Sequence, residues 1–440
     1  MRCIRILGGT ALILALPVFP AATSASLSGQ LASQDSAPAP QVDRGSLYGT
    51  VVTVSGDEYR GYIRWDRNEA AWSDVLHASK LLPEQNLEDA RNLGLPDPGA
   101  DGGGIEVFGF TVPWGEEEGW SSEALSAVRF GHVRSIEVLD EDWALVVLKS
   151  GIELEMFASS TDLGAANRGI EIADPDRGTV SLEWAEVELV DFSPAPEGFP
   201  SPRGPRLYGT LRTQAGDVFT GFVGWDNDEV FGSDVLDGEG EDGDRSILFS
   251  DVAVIEQDGR DGAMVTLRDG ETFRLEDSND VNHENRGIVI SDPRLGEVTV
   301  RWEGFASLAF HASPDQDYYA AFDGGQSLFG TVRTVSGDRL TGYLRWDNDE
   351  EFTWEILDGE SHGVEFDIEL SNVARIERVD EQSALVILRD GRTFQLSGSN
   401  DVNAENKGVF VIDDSGEVRV VVWADLEGVS FRDPRGASPR

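Results

Sequence analysis

Short runs of alternating apolar and polar residues, separated by turn residues, cover most of the chain. Residues 50–54 and 59–65 form one such pair, and residues 264–268 and 272–275 form another around Asp269-Gly270. Asp-Gly favours the type I′ turn, whose twist matches that of the flanking strands. The pattern therefore predicts antiparallel β-hairpins.

The same series of motifs occurs three times along the chain. Each copy opens with an aromatic-Gly-Thr string, continues to Trp-Asp and closes near a second tryptophan. The positions are Tyr48-Gly49-Thr50, Trp65-Asp66 and Trp184 in copy one, Tyr208-Gly209-Thr210, Trp225-Asp226 and Trp302 in copy two, and Phe329-Gly330-Thr331, Trp346-Asp347 and Trp423 in copy three. A repeat of this length predicts a small domain repeated in tandem.

The fold class predicted for each copy is an antiparallel β-barrel or sandwich-like domain of roughly eight or nine strands. Gly61, Gly221 and Gly342 fall inside the second strand of the three copies, which indicates a sharp bend or a close backbone approach. The string Leu-x-Gly-x-x-x-Thr with Gly-Asp and this glycine resembles Sm-like and SH3-like barrels over a short part of each copy. That resemblance implies a small barrel and is too generic to imply a function.

The boundaries follow from the motifs and from proline-rich or polar stretches. We predict a signal peptide at 1–25, a disordered linker at 26–45, repeat one at 46–192 with an insertion at about 80–123, a Pro-rich linker at 193–206, repeat two at 207–312, a linker at 313–326, repeat three at 327–433 and a tail at 434–440.

Compartment and charge limit the classes of partner. The apolar run after Arg2 and Arg5 is typical of a secretory signal, which predicts a secreted or periplasmic protein. Cys3 precedes that run, so we expect the mature chain to have no cysteine. The run itself is too short for a stable membrane span, and we expect no transmembrane segment in the mature chain. The formal net charge of −46 argues against nucleic acid as a partner, because that partner needs a basic surface.

The acidic string Asp226-Asn227-Asp228-Glu229 supports two interpretations, and it recurs at Asp347-Asn348-Asp349-Glu350. Its oxygens suit calcium. The Asp-x-x-Glu spacing instead matches a capping box that starts a short helix after the second strand. Copy one keeps only the capping pair, Asp66 and Glu69, which favours the helix cap. We therefore predict no metal or other cofactor, with calcium as the alternative.

A second polar string is the repeated candidate for ligand binding. It places Asp280, Asn285 and Arg286 in copy two and Asp401, Asn406 and Lys407 in copy three. An acid, an amide and a cation on one loop suit a sugar or a small anion. The competing interpretation is a helical turn that Asp280 caps and Gly287 ends.

Tryptophans and histidines offer little sign of catalysis. The repeated tryptophans are expected in the core rather than in a sugar-stacking platform. None of the five histidines recurs at an equivalent position, and no nucleophile, dinucleotide or phosphate motif is present. The chain is therefore predicted not to be an enzyme.

The insertion in copy one is the main asymmetry of the chain. It carries Phe108, Phe110, Trp114 and Trp120, aromatic residues of the kind found at binding surfaces. The predicted function is a non-enzymatic binding or scaffold protein for an envelope or extracellular protein or glycan. The alternatives are a carbohydrate-binding or carbohydrate-active protein that uses the insertion, and a calcium-stabilised adhesin-like protein.

Overall fold

The computed structural model describes residues 43–95, 104–107, 110–113, 122–316 and 318–434. These residues form an all-β protein with two large antiparallel sheets and one α-helix. No helix among them has the length and apolar character needed to cross a membrane. The predicted signal peptide and most of the linker that follows it lie outside the described residues.

The described part of residues 48–192 contains twelve strands and the helix. They are β1 (Tyr48–Thr53), β2 (Glu58–Trp65), β3 (Val75–Leu81), α1 (Glu84–Asn92), β4 (Gly104–Val107), β5 (Phe110–Pro113), β6 (Glu123–Arg129), β7 (Val133–Val138), β8 (Trp143–Leu148), β9 (Glu153–Phe157), β10 (Ile170–Asp174), β11 (Gly178–Leu182) and β12 (Val187–Phe192).

Ten strands follow between residues 208 and 310. They are β13 (Tyr208–Thr213), β14 (Val218–Gly224), β15 (Val235–Gly240), β16 (Gly243–Leu248), β17 (Val252–Gln257), β18 (Gly262–Leu267), β19 (Thr272–Glu276), β20 (Ile288–Asp292), β21 (Gly296–Val300) and β22 (Phe305–Phe310).

Ten more strands lie between residues 329 and 431. They are β23 (Phe329–Thr334), β24 (Arg339–Arg345), β25 (Ile356–Ser361), β26 (Val364–Glu369), β27 (Val373–Arg378), β28 (Ser383–Leu388), β29 (Thr393–Ser397), β30 (Val409–Ile412), β31 (Val418–Val421) and β32 (Leu426–Phe431).

The sheets are open, so the prediction of a closed barrel is wrong. The first sheet has the order β11-β10-β2-β1-β12-β7-β8-β9-β3-β6, and no pairing joins its two ends. The remaining strands form one twenty-stranded sheet, because β21 pairs with β26 from Gly296↔Ile368 to Val300↔Val364. A ladder that would close a barrel is thus used to join strands of copies two and three.

The helix predicted after the second strand is also absent from the described residues. Asp66, Asp226 and Asp347 have φ values of 44°, 47° and 50°, and the residue after each is also at positive φ. A helix N-cap takes an extended conformation, whereas two successive left-handed residues form a type I′ turn. Asp and Asn tolerate that conformation better than most residues, so the string reverses the chain. The one α-helix, α1, lies instead in the connection between β3 and β6.

Two local predictions fare differently in the structure. A Cβ atom added to Gly61, Gly221 or Gly342 would lie 2.0–2.2 Å from a carbonyl oxygen of the neighbouring strand, which confirms the predicted close approach. The Asp269-Gly270 hairpin is present, but only Gly270 has positive φ, at 93°. A type I′ turn needs positive φ at both residues, so the predicted turn type is wrong.

The repeated tryptophans lie in the core, as predicted. Trp65, Trp225 and Trp346 are fully buried, and the three closing tryptophans are at most 3% exposed. Each of the first set contacts one of the second at 6.3–6.5 Å between ring centroids in an edge-to-face arrangement. Such pairs add to the stabilisation that burial of the rings already provides.

Arg129, at the end of β6, joins residues from all three copies. Its side chain is fully buried and donates to the carbonyl oxygens of Ser73, Pro293 and Asp292, each at 3.2 Å. It also pairs with Glu369 at 3.1 Å between Nη1 and Oε2. Burial opposes ionisation of Glu369, but His132 and Arg129 outweigh it and lower the pKa of this carboxyl to about 2. A buried charge of this kind is tolerated only because every part of it has a partner.

Replacing Arg129 with alanine tests how far the fold depends on this residue. We expect Arg129→Ala to lower the free energy of unfolding by about 3–5 kcal/mol, because it leaves the buried Glu369 carboxylate without its guanidinium partner. Urea denaturation followed by tryptophan fluorescence measures the change. Arg134→Ala, which removes an exposed arginine of β7, should change stability by no more than about 0.5 kcal/mol. Equal effects of the two substitutions would contradict the role given to Arg129.

Candidate functional site

The two polar strings of each copy meet in the structure. In copy two, the buried carboxylate of Asp226 accepts hydrogen bonds from the Arg286 backbone N at 2.6 Å and from its Nη2 at 2.8 Å. Asn279 also donates to this carboxylate. Arg286 extends further to Asp228. The Trp-Asp turn thus holds the second string through a carboxylate with several donors around it.

Copies one and three have the same arrangement with different partners. Asp66 accepts from Thr161 and from the Arg168 guanidinium, whose Nη2 lies 2.9 Å from Oδ2. Asp347 accepts from Asn400 at 2.5 Å and from Lys407 Nζ at 3.1 Å. Burial raises the pKa of Asp347 to about 7, although Lys407 opposes the shift.

The other candidate ligand residues of the string also have partners within the chain. Asp280 Oδ2 accepts from the Asp237 backbone N at 2.8 Å, and the Asp280 carbonyl accepts from Trp225 Nε1 at 2.9 Å. Asn285 Oδ1 accepts from the Gly287 N at 3.0 Å. The φ of Gly287 is 135°, which glycine adopts most easily.

Copy three repeats these contacts in detail. Asp401 Oδ2 accepts from the Asp358 N at 2.8 Å, and Asn406 Oδ1 accepts from the Gly408 N at 2.9 Å. These bonds give the string a structural role on both copies. Binding of a sugar or an anion there stays a prediction, because the side chains named for it are turned to partners of the chain itself.

The glutamate of each Trp-Asp-x-x-Glu string has an environment that its interpretation as part of a capping pair missed, with Glu69 and Glu350 buried and Glu229 half-buried. Glu69 is 7% exposed, and its Oε2 has no hydrogen-bond partner among the described residues. One carboxylate oxygen from each of Asp66, Glu69 and Asp162 lies within 4.8 Å of the others. Burial, followed by the charges of Asp162 and Asp66, raises the pKa of Glu69 well above its usual value. The recurrence of this glutamate in all three strings was the signal available in the sequence.

The same environment surrounds Glu229 in copy two. Asp226, Asp228 and Glu229 form a second acidic cluster, and Glu229 Oε2 also has no hydrogen-bond partner among the described residues. Burial and then the charge of Asp228 raise the pKa of Glu229 to about 9. In copy three, Lys407 Nζ lies 3.1 Å from both Asp347 and Asp349 and supplies a positive charge there.

The base of the insertion packs against copy three. Lys80 Nζ pairs with Glu355 and donates to the Asp349 carbonyl at 2.6 Å. Arg345 Nη2 lies 2.5 Å from Asp89 of α1. Both pairs are buried, and together they form what we call the clamp.

Asn86 of α1 strengthens the clamp by exchanging hydrogen bonds with the Asn348 backbone and side chain, at 3.2 and 3.1 Å. Of the four aromatic residues predicted to bind a ligand, Phe108, Trp114 and Trp120 lie outside the described residues. Phe110 begins β5, which pairs with β4.

Comparison with known proteins gives little further information. No protein-family model and no curated protein matches the chain. Among solved structures, the chain shows a likeness to a catalytically inactive variant of virginiamycin B lyase from Staphylococcus aureus with quinupristin. The sequence identity is 7%, the match covers 89% of this chain and 96% of that chain, and the TM-score is 0.10. A likeness at this level supports no inference about fold or activity.

Replacing Asp226 tests the junction of the two strings. We expect Asp226→Ala to destabilise the protein by about 2–3 kcal/mol, because donors from Asn279 and Arg286 lose their acceptor. Chemical denaturation gives the value. The matched variant Asp228→Ala removes a more exposed partner of the same arginine and should cost less than about 1 kcal/mol. If both variants lose the same stability, the Asp226 carboxylate does not hold the string.

Proposed function

We propose that this protein is a secreted or periplasmic, non-enzymatic binding or scaffold protein built from three equivalent β units. The proposed equivalence is supported by strand order. The ten strands from β13 to β22 pair with one another in the same order as the strands of the first sheet, and so do the ten strands from β23 to β32. The contact between the aspartate of the Trp-Asp turn and a cation also occurs in all three copies. The secretory signal in the sequence supports the compartment.

The observation that carries this proposal is the clamp. Lys80 and Asp89 bind Glu355 and Arg345 across copies one and three, so the base of the insertion is held by buried ion pairs. The described residues on both sides of the aromatic segment are held in place, because the clamp lies before it and β6, which follows it, pairs with β3. Large aromatic side chains presented from a fixed base suit partner binding, because less freedom is lost when the partner binds.

The insertion has a structural part, which contains the clamp residues Lys80 and Asp89, and a proposed binding part, which contains the four aromatic residues. We expect deletion of residues 98–119 to leave the thermal transition unchanged and to remove capture of the partner from an extract of the native envelope. Replacing Phe108, Phe110, Trp114 and Trp120 together with serine should have the same effect. Lys80→Ala is the contrasting variant, since it should lower the melting temperature by breaking the clamp. Undiminished capture by both aromatic variants would overturn this assignment of the binding surface.

Calcium binding is the second candidate, and the buried glutamate of copy one favours it. Three carboxylates within 4.8 Å of one another provide the hard oxygen ligands that calcium prefers. The Glu69 carboxylate has an oxygen without a partner among the described residues, which a cation would satisfy. A bound cation would also offset the repulsion among Asp66, Glu69 and Asp162.

Opposite effects of one double substitution on stability, in the presence and in the absence of calcium, test this second candidate. We expect calcium to raise the melting temperature of the wild type. It should raise the melting temperature of the double variant, which combines Glu69→Gln with Glu229→Gln, by much less. In a chelator the double variant should be the more stable protein, because folding no longer requires Glu69 and Glu229 to take up protons at neutral pH, as their raised pKa values demand in the wild type. Glu350→Gln is the control, because the described residues of copy three hold no cluster of three carboxylates like those of copies one and two. A calcium shift that survives the double substitution, or no shift in the wild type, would contradict the site.

A further inference from the structure

An aromatic pair occurs at the same register in each of the three copies. Tyr48 pairs with Tyr62, Tyr208 with Phe222, and Phe329 with Tyr343 across the first two strands of each copy. The ring centroids are 5.3 Å apart in all three pairs, and the rings meet edge to face. The three positions can therefore be compared directly.

In copy one, the linker that follows the last strand covers this pair. Phe199 lies 6.1 Å from Tyr48 and 6.4 Å from Tyr62, measured between ring centroids. The Tyr62 hydroxyl donates to the Phe199 carbonyl at 2.6 Å. As a result, Tyr62 is only 2% exposed.

In copy two, an aromatic residue of the second linker takes the same part. Tyr318 lies 5.0 Å from Phe222, and both rings are buried. Gly45 packs against the edge of Phe222 as well, since a Cβ atom there would lie 2.4 Å from this ring. Two unrelated linker sequences thus place an aromatic ring on the same kind of pair.

Among the described residues, no ring from a linker covers the pair in copy three. Tyr343 is 52% exposed, and the only ring that the described residues place against it is Phe329. Beside the pair lies a cavity of about 230 Å³, lined by Phe329, Tyr343, Phe431, Arg389 and Arg432 among others. We call it the Tyr343 pocket. Its volume is below the roughly 300–1,000 Å³ of small-molecule sites and suits one large side chain.

The charges around the covered pairs indicate what chemistry accompanies the ring. Arg44 pairs with Glu197, two residues before Phe199, at 3.3 Å. It also pairs with Asp315, three residues before Tyr318, at 3.5 Å. Both covering linkers therefore combine an aromatic residue with an acidic residue just before it, and both acids lie at one arginine.

The Tyr343 pocket offers the matching charge. The Arg432 guanidinium lies 3.8 Å from the centre of the Phe329 ring, and Arg389 Nη2 donates to the Arg432 carbonyl at 2.9 Å. Two arginines together are notable in a chain with a formal net charge of −46. An acidic segment gains favourable electrostatic attraction there that most of this surface would not provide.

We propose that the Tyr343 pocket binds an aromatic side chain carried by an extended, acidic peptide segment of a partner protein. This segment would cover the aromatic pair of copy three from another molecule, as Phe199 and Tyr318 of the two linkers cover the pairs of copies one and two within the chain. The ring would cover Tyr343, and an acidic residue just before it would reach Arg432. This inference rests on the proposed binding function and names the class of partner that one of its surfaces takes.

The probe for this proposal is a labelled peptide with the sequence of residues 193–202, which contains Glu197 and Phe199. Its binding to the full chain is measured by fluorescence anisotropy. We expect saturable binding that weakens at least about tenfold when alanine replaces Phe199 in the peptide, a loss typical of a buried aromatic contact. The peptide with glutamine in place of Glu197 should bind more weakly and with less dependence on salt.

Matched variants of the protein locate the binding. Tyr343→Ala should weaken the peptide about tenfold or more, whereas Tyr343→Phe keeps the ring and should retain the affinity. Arg432→Glu should also weaken binding. Val335→Ala is the control, because Val335 is 60% exposed and lies beyond the other end of β23. Melting temperatures of all variants show whether each one is folded.

Several outcomes would overturn the proposal. They are the absence of saturable binding by the wild type, equal affinity of the folded Tyr343→Ala variant, and tighter peptide binding after deletion of residues 98–119. The last result would assign the pocket to the chain's own insertion. Self-association that Tyr343→Ala abolishes would assign it to a second copy of the chain.

The proposed function and the pocket can fail independently. If capture from the envelope extract requires residues 98–119 and the peptide does not bind, the proposed function stands and the pocket inference falls. If the peptide binds at Tyr343 and capture is unchanged by the deletion, the insertion is not the partner surface and the pocket inference stands.

Discussion

The structure depends on a buried guanidinium. Arg129 belongs to copy one, two of its acceptors are carbonyls of Asp292 and Pro293, and its ionic partner is Glu369 of copy three. A charge in the interior is costly unless all its donors are used, so the three parts of the chain must meet in one relative placement for this residue to be satisfied. The β21–β26 ladder and the clamp then fix the same placement from other sides. Apolar contacts join the copies as well, since one buried cluster spans copies two and three and Phe219 packs against Phe366. Buried tryptophans and strand pairing stabilise each copy.

Local patterns in the sequence indicated the parts of the fold that local forces determine. Alternation of apolar residues gave the strands, and the glycine inside the second strand marked a close approach to the next strand. The Trp-Asp-x-x-Glu string shows where this reasoning fails. A capping box and a chain reversal in which Glu229 pairs with Trp225 share the same spacing, and φ values near 45° at Asp226 and its equivalents separate the two. The Asp226 carboxylate in this turn accepts hydrogen bonds from Arg286, which lies far away in the sequence.

Long-range convergence accounts for the rest of what the sequence did not reveal. The two polar strings were interpreted as separate features, although Asp226 is the acceptor for Arg286. The insertion was interpreted only as a unique loop, and its Lys80 and Asp89 turned out to hold copy three. Neither pairing leaves a periodic signal, because each depends on one contact between distant elements. The repeated glutamate was visible in the sequence. Its position in an acidic cluster was not, because in copy one that cluster includes Asp162, which lies far away in the sequence.

The open sheets have a consequence for aggregation. Within the described residues, β11, β16 and β31 each pair with one neighbour, so each has a row of backbone N–H and C=O groups on its outer side. Such edges are templates on which a strand of another molecule can assemble. The β21–β26 ladder shows that strands of this fold do join edge to edge. Charged residues stand on these edges, including Arg245 on β16 and Arg419 on β31, and the large negative charge keeps molecules apart. The acidity of the chain therefore opposes edge-to-edge assembly at these strands.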